Sequence, residues 1–262
     1  MNHLDLFSGI GGFALAASWV WGDEHNIVSF VEIDPFCQKV LAKNFPGVPI
    51  QSDIKEYKHD GTNVDLITGG FPCQDVSCAG NQKGIYSERS GLWTELCKTI
   101  NEVKPKFAII ENVTNLITGG NGMWFKCVIC DLAKIGYDAE WHCLQAAQFG
   151  APHQRSRIFI TAYPKCESVN ISMELSRIFT QSQWYKKEWC ESWEQFVLVT
   201  DKVAPSKWWT KGKHSTRPLL VRNDDGVPQR VDRLKSLGNA IVPQCVQPIM
   251  QAIKDINENI VM

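Results

Sequence analysis

The chain has 262 residues, 44% of them hydrophobic and 21% charged, a globular composition that excludes a wholly disordered or collagen-like protein. This length fits one sizeable α/β core with a small second lobe. No apolar run approaches the ~18 residues that a membrane span requires. The opening residues Met1-Asn2-His3-Leu4-Asp5 lack the basic-then-apolar order of a signal peptide, so the ten irregularly spaced cysteines are expected as reduced thiols in a cytoplasmic chain. The net charge is −1, but it is unevenly spread: residues 1–162 carry 13 Lys/Arg against 17 Asp/Glu, and residues 163–236 carry 13 against 9. Any anionic partner is therefore expected at the second segment.

In chain order, Leu4–Phe7 predicts a short strand that stops at Ser8-Gly9, and Gly11–Trp21 a helix. Asn26–Ile33, apolar and β-branched, predicts a second strand. Asp34 as N-cap and Pro35 in the first turn open a helix over Pro35–Phe45. Val64–Thr68 predicts a strand ending in Gly69-Gly70, Ser90–Val103 a helix and Phe107–Ile110 a strand. Met123–Ile135 is an apolar-rich helix ended by Gly136, and Ala139–Leu144 and Arg157–Ala162 are strands. Strands alternating with helices predict a largely parallel α/β sheet covered on both faces. After Pro164 the periodicity is lost, and residues 165–236 hold five of the ten tryptophans (Trp184, Trp189, Trp193, Trp208 and Trp209). Helix character returns over Val246–Ile256, with Pro243 and Pro248 limiting its start.

Four segments carry chemistry. Asp5-Leu6-Phe7-Ser8-Gly9-Ile10-Gly11-Gly12-Phe13 runs from strand to glycine turn to helix. Gly9, Gly11 and Ala14 fit the G-x-G-x-x-G/A spacing, and Glu32 ends the next strand where a carboxylate can accept from a ribose diol. This signal suits a nicotinamide cofactor and S-adenosylmethionine equally; the plainer alternative is a tight turn that needs glycine. Gly69-Gly70-Phe71-Pro72-Cys73-Gln74 sets a thiol in a constrained loop at a strand end, where open α/β sheets bind ligands. Glu111 ends an apolar strand at the same edge, where its pKa can be raised so that it shares a proton with a ring nitrogen. Arg155 and Arg157 alternate on the approach to the last strand and so share one face, able to hold a carbonyl oxygen, phosphate or carboxylate. Cys127-x-x-Cys130 with His142-Cys143 mimics a metal spacing, but its placement inside an apolar helix and a strand favours core packing, and no metal site is expected.

Taken together, these segments resemble the ordered motifs of DNA (cytosine-5) methyltransferases over nearly the whole chain except residues 165–230. Asp5–Phe13 is similar to the family's first motif, Phe71–Gln74 with Ser77, Gly80 and Gln82-Lys83-Gly84 to its nucleophile motif, and Glu111-Asn112-Val113 to its Glu-Asn-Val motif. Arg155-x-Arg157 resembles the arginine motif, and Ser236–Pro243 the final Gly-Asn-centred motif. One departure is His153, which stands where the family pattern usually has Gln. The resemblance implies a Rossmann-like S-adenosylmethionine-dependent sheet built from residues 1–162 and 237–262, with residues 163–236 as a small target-recognition lobe. It implies Cys73 as nucleophile toward cytosine carbon 6, Glu111 at the ring nitrogen at position 3, Arg157 at the exocyclic oxygen and Arg155 orienting Glu111. It further implies that Phe7, Gly9, Ile10, Gly11, Gly12, Glu32, Ile33, Asp53, Pro72 and Asn239 surround S-adenosylmethionine.

The implied substrate is a cytosine flipped out of double-stranded DNA, with Gln74–Ser90 as a lid. The implied setting is cytoplasmic and nucleoid-associated, in a protein of bacterial or viral origin. A monomer is expected, with a cognate restriction endonuclease as partner and no membrane contact. Within the lobe, Lys202–Arg222 has no Asp or Glu, and Lys207, Trp208, Lys211, Lys213, Arg217 and Arg222 are the expected DNA contacts. Three other readings compete. A tRNA methyltransferase of the same fold would carry a Cys-Phe-Thr signature in the lobe, which is absent. A nicotinamide oxidoreductase leaves Cys73, Glu111 and the arginines unexplained. A catalytically silent DNA-binding regulator would not need the full set of catalytic residues.

Overall fold

The structure, a computed structural model, describes residues 1–72, 91–151, 154–165, 236 and 238–260. Cys73, His153 and the expected DNA contacts Lys207, Trp208, Lys211, Lys213, Arg217 and Arg222 lie outside the described residues.

Strands β1 (Asn2–Leu6), β2 (Asn26–Val31), β3 (Ile50–Gln51), β4 (Leu66–Gly69), β5 (Phe107–Val113), β6 (Tyr137–Gln145) and β7 (Ser156–Pro164) form one sheet in the order β3-β2-β1-β4-β5-β7-β6. The first five are mutually parallel, whereas β7 runs antiparallel to both β5 and β6. The sheet is thus largely parallel, as the alternating pattern predicts, with one reversed strand. That reversal matters for the site. It brings the start of β7 to the carboxyl edge of β5, with Arg157 in register with Val113.

The strands alternate their side chains between two apolar layers, which fixes the register of each. Leu66, Phe107, Ile109 and Phe159 face α1 (Gly12–Trp21) and α6 (Pro243–Ile260), where they meet Ala16, Ala17, Val20, Val246, Ile249 and Ile253. Leu4, Leu6, Ile67, Ala108 and Ile110 face the opposite layer, which contains Trp93 and Leu96 of α3 (Gly91–Val103) and Val128 and Leu132 of α5 (Met123–Lys134). Trp93 joins those two helices, its indole N–H donating to Asp131 of α5 at 3.2 Å. The helix α2 (Pro35–Asn44) starts as the sequence predicts, with Asp34 Oδ1 accepting from Phe36 N at 2.9 Å and from Cys37 N at 3.5 Å.

Several local expectations are corrected. β1 ends at Leu6, because Phe7 takes a left-handed φ of 53° that no strand tolerates. α6 begins at Pro243, whose fixed φ suits a first helical position, and it carries Pro248 inside. The apolar stripe of α6 is buried on both sides of Pro248, and this packing outweighs the lost backbone bond. Cys130 and Cys143 are exposed and so are not core residues, whereas Cys127 is half-buried and packs against the core as expected. Cys130 lies on the solvent side of α5, and Cys143 lies on the edge strand β6. A short helix, α4 (Asn115–Thr118), follows β5. No helix among the described residues is long and apolar enough to cross a membrane.

The carboxyl-terminal segment folds back onto the first turn. A Cβ on Gly12 would collide with Ile241 Cγ2 and lie 3.1 Å from the Ile241 carbonyl oxygen. Gly12→Ala is therefore expected to cost about 1–3 kcal/mol of stability by overpacking. Denaturant unfolding should show most of that cost recovered in the Gly12→Ala/Ile241→Ala double variant, measured against Ile241→Ala alone.

Candidate active site

The carboxyl edge of the sheet gathers the residues that the motifs single out. β1 leads into a turn held in uncommon backbone conformations, with φ of 53° at Phe7, 54° at Gly9 and 88° at Gly11. Gly11 also has no room for a side chain, since a Cβ there would lie 2.6 Å from Phe45 Cε2. The turn is fixed by Ser8 N–H donating to Val31 O at 3.2 Å, Gly11 N–H to Ser8 O at 2.9 Å and the Ser8 hydroxyl to Asp5 O at 2.6 Å. Ile10 is buried with Cys37, Val40 and Ala240, so any contact it makes with a ligand is through its backbone.

Glu32, just past β2, ties this turn to the next one. Its Oε2 accepts from Gly9 N at 2.7 Å and its Oε1 from Asp34 N at 2.8 Å. Burial raises the Glu32 pKa and the Asp34 and Gly9 N–H groups pull it down; the nearby Asp34 charge adds to the rise. Each carboxylate oxygen has a second lone pair free for a hydroxyl donor. Beside it Ile33 is 68% exposed, an apolar face at the mouth of the cleft. Asp53 follows β3, and its Oδ1 caps a turn by accepting from Lys55 N at 2.9 Å.

β4 and β5 build the other half. Asn112 is buried and its side-chain amide donates to Phe71 O at 3.0 Å, fixing the backbone just before Pro72. The Phe71 ring packs 5.4 Å from that of Trp93. Gly70 lies against Glu111: a Cβ there would be 3.1 Å from Glu111 Oε2. The loop that begins with Pro72 therefore leaves the sheet directly beside the carboxylate.

Glu111 and Arg157 lie on the same face of the sheet, on the adjacent strands β5 and β7. Arg157 Nε sits 2.9 Å from Glu111 Oε1. The contact is a close ion pair rather than an aligned hydrogen bond, since Oε1 has no hydrogen-bond partner. Burial pushes the Glu111 pKa upward, while the Arg157 and Arg155 charges oppose that rise. The Arg155 guanidinium donates to the carbonyl oxygen of Gly238, so it holds the segment that carries Asn239. Arg157 rests on Glu111, and Arg155, whose charge also reaches Glu111, ties the start of β7 to the carboxyl-terminal segment. Behind them Cys245 is buried, and burial pushes its thiol up to about 12.

Three contributors went unread in the sequence. They are the Gly238 carbonyl, the Ile241 side chain on Gly12 and the Cys245 thiol behind the carboxylate. Each depends on where α6 docks, which local pattern does not encode. Among the described residues two buried polar atoms of the site, Glu111 Oε1 and Arg155 Nε, have no hydrogen-bond partner. Together with the cradle at Gly11 and Gly12 and the exposed Ile33, they mark this edge of the sheet as a candidate ligand site.

The fold is a Rossmann-like α/β sheet with a candidate site at the carboxyl edge of its strands. The pattern described as C-5 cytosine-specific DNA methylase matches residues 1–233. The type II methyltransferase M2.BsuMI of Bacillus subtilis (strain 168) is 37% identical over 221 residues, covering 79% of this chain and 56% of that protein. The type II methyltransferase M.HhaI of Haemophilus parahaemolyticus is 31% identical over 164 residues, covering 62% of this chain and 49% of that protein. The chain thus spans about half the length of the curated relatives it matches. Among solved structures, an Escherichia coli prophage-encoded DNA modification methyltransferase superposes with a TM-score of 0.53 at 26% identity, covering 63% of this chain and 47% of that one. The DNMT2 of Spodoptera frugiperda shares the fold with a TM-score of 0.52 at 23% identity, covering 64% of this chain and 51% of that one. The chain belongs to the C-5 cytosine-specific DNA methylase family.

Proposed function

We propose that this chain transfers a methyl group from S-adenosylmethionine to carbon 5 of a cytosine extruded from double-stranded DNA, through a transient bond to Cys73. The observation that carries the reading is the Glu111–Arg157 pair, set against Gly70 at the sheet edge that also holds the Gly9–Gly12 turn and Glu32.

Carbon 5 of cytosine is a weak nucleophile, and addition of a thiolate at carbon 6 converts the ring into an enamine. The Cys73 sulfur forms that bond with its own electron pair. Glu111, whose pKa burial pushes upward, gives a proton or a hydrogen bond to the ring nitrogen at position 3 as charge builds there. Arg157, fixed on Glu111, presents its remaining N–H groups to the exocyclic oxygen. S-adenosylmethionine supplies an electrophilic methyl group on a sulfonium. Glu32 accepts from the ribose hydroxyls, Ile33 covers the adenine and Asp53 accepts from its amino group. Phe7, Pro72, Asn239 and the backbone of Gly9–Gly12 line the remainder. A water takes the carbon-5 proton, the electron pair of that bond re-forms the ring double bond and expels the Cys73 thiolate, and the ring nitrogen returns any proton to Glu111.

Residues 1–162 with 237–262 form the catalytic unit in this reading, and residues 163–236 read the DNA. Lys207, Lys211 and Lys213, with Trp208, Arg217 and Arg222, supply the contacts to the duplex. Replacing the three lysines with Ala is expected to weaken DNA binding and to lower the slope of log K against log salt by roughly 2.7. Fluorescence anisotropy at several salt concentrations checks this, and an unchanged slope places the DNA surface elsewhere. The protein acts as a monomer in the cytoplasm, alongside a cognate endonuclease. The direct test is incubation with methyl-labelled S-adenosylmethionine and either duplex DNA or tRNA. Label in 5-methylcytosine of the DNA alone supports the reading, whereas label in tRNA alone replaces it with the RNA reading.

A further inference from the structure

A line of buried polar side chains runs under the cofactor turn, and the chemistry described above leaves it unused. Asp5, His3 and Thr68 are each 0% exposed and share the α1 face of the sheet. Asp5 and Thr68 are register partners on β1 and β4. The Thr68 hydroxyl donates to Asp5 Oδ1 at 2.7 Å, His3 Nε2 lies 2.7 Å from Thr68 Oγ1, and His3 Nδ1 lies 3.0 Å from His25 Nε2. With Asp5 as the terminal acceptor, one assignment satisfies every link: His25 donates to His3, His3 to Thr68 and Thr68 to Asp5. All the hydrogen bonds then point the same way, toward the end of β1.

The destination of this line is what gives it a role. α1 has glycine at its N-cap and no side-chain cap, and its first turn carries no acidic residue. Asp5 lies at that end: burial raises the pKa of its carboxyl, the Thr68 hydroxyl lowers it, Glu32 raises it and the Ala14 N–H lowers it again. Ala14 belongs to the first turn of α1. Asp5 Oδ2 is buried without a hydrogen-bond partner, so Thr68 supplies the one aligned hydrogen bond that fixes the carboxyl. Between Asp5 and Ala14 lie the left-handed residues Phe7, Gly9 and Gly11, a conformation that persists only where its surroundings enforce it.

We propose that Thr68 and His3 are positioning residues that act through Asp5, whose backbone carbonyl takes the Ser8 hydroxyl at 2.6 Å, and so set the backbone of the Gly9–Gly12 cofactor turn. The proposal rests on the reading of that turn as the S-adenosylmethionine site, and it extends that reading to residues that touch no ligand.

The test uses the full-length chain and amide hydrogen exchange without cofactor, followed by calorimetric binding of S-adenosylmethionine. Thr68→Val removes the hydroxyl at nearly constant volume. Exchange at the Gly9 and Gly11 amides is expected to quicken roughly tenfold, as for the loss of one buried hydrogen bond, while amides of β5–β7 hold their rates. Affinity for S-adenosylmethionine falls by a similar factor, with the effect on KM for the cofactor larger than on kcat. Thr68→Ser restores both, which loss of packing alone would not allow. If Thr68→Val does not fold, His3→Leu gives the same pattern at smaller size, since the Thr68–Asp5 bond survives without its polarising donor. Unchanged exchange at Gly9 and Gly11, or equal quickening throughout the sheet, overturns the proposal. A wild-type chain that binds no S-adenosylmethionine would sink the functional reading instead, and the exchange comparison would still decide the positioning role.

Discussion

Cys73→Ser is expected to abolish methyl transfer, with a loss of about 10³-fold or more, while the protein still binds duplex DNA and S-adenosylmethionine. The reasoning concerns the nucleophile alone. A thiol has a pKa near ~8.5 and yields usable thiolate in electropositive surroundings, whereas a serine hydroxyl needs a strong base to do the same work. Arg155 and Arg157 supply positive charge at this edge of the sheet, and Gly70 places the loop that begins at Pro72 against Glu111. Incorporation of labelled methyl groups into duplex DNA, read beside binding isotherms for both ligands, separates a lost nucleophile from a lost site. Methylation by the serine variant within about tenfold of wild type would assign the covalent step to another residue.

Glu111→Gln is the second large effect, an expected fall of about 10²–10³-fold in kcat with cofactor affinity little changed. The amide keeps the shape and can donate a hydrogen bond, but it cannot transfer a proton to the ring nitrogen. The pH dependence follows from the raised pKa. Burial favours the neutral acid over the carboxylate, so the proton donor is present below the folded-state pKa and lost as pH rises through it. Because that pKa lies above the ordinary glutamate value, the wild-type rate should fall at a pH where a solvent-exposed glutamate is already ionised. The same sign applies to folding. Stability contributed by the protonated Glu111 is complete below its unfolded pKa and disappears as pH rises through the folded one. A rate profile in which Glu111→Gln retains the alkaline limb would show that another group sets it.

Much of this arrangement was legible in the amino-acid order because it is written in short range. Apolar runs ending in Gly9, Glu32, Gly70 and Glu111 give strands whose carboxyl ends carry function, and all four positions meet at one edge of the sheet. Asp34 and Pro35 mark the start of α2 by local capping chemistry alone. What stayed hidden depends on long-range contacts. Nothing within Ser156–Pro164 specifies that β7 runs against β5, yet this reversal delivers Arg157 to Glu111. Pro248 reads as a helix breaker, but it is carried within α6 because Val246, Ile249, Met250 and Ile253 are buried against α1 and the sheet. The tie from Arg155 to the carboxyl-terminal segment follows from the same docking, which offers the Gly238 carbonyl to the first arginine. His3 and Thr68 look unremarkable in sequence, since a β-branched residue and a lone histidine in strands suggest nothing until register places them side by side.

The measurement closest to the centre of this account is mass spectrometry of the protein after reaction with S-adenosylmethionine and duplex DNA in which 5-fluorocytosine replaces cytosine. Fluorine cannot leave carbon 5 as a proton does, so the account predicts a complex that survives denaturation and carries one methyl group on the trapped base. Digestion should place the attached nucleotide on Cys73. A methylated fluorinated base released without any protein adduct, or an adduct mapped to a different cysteine, would contradict it.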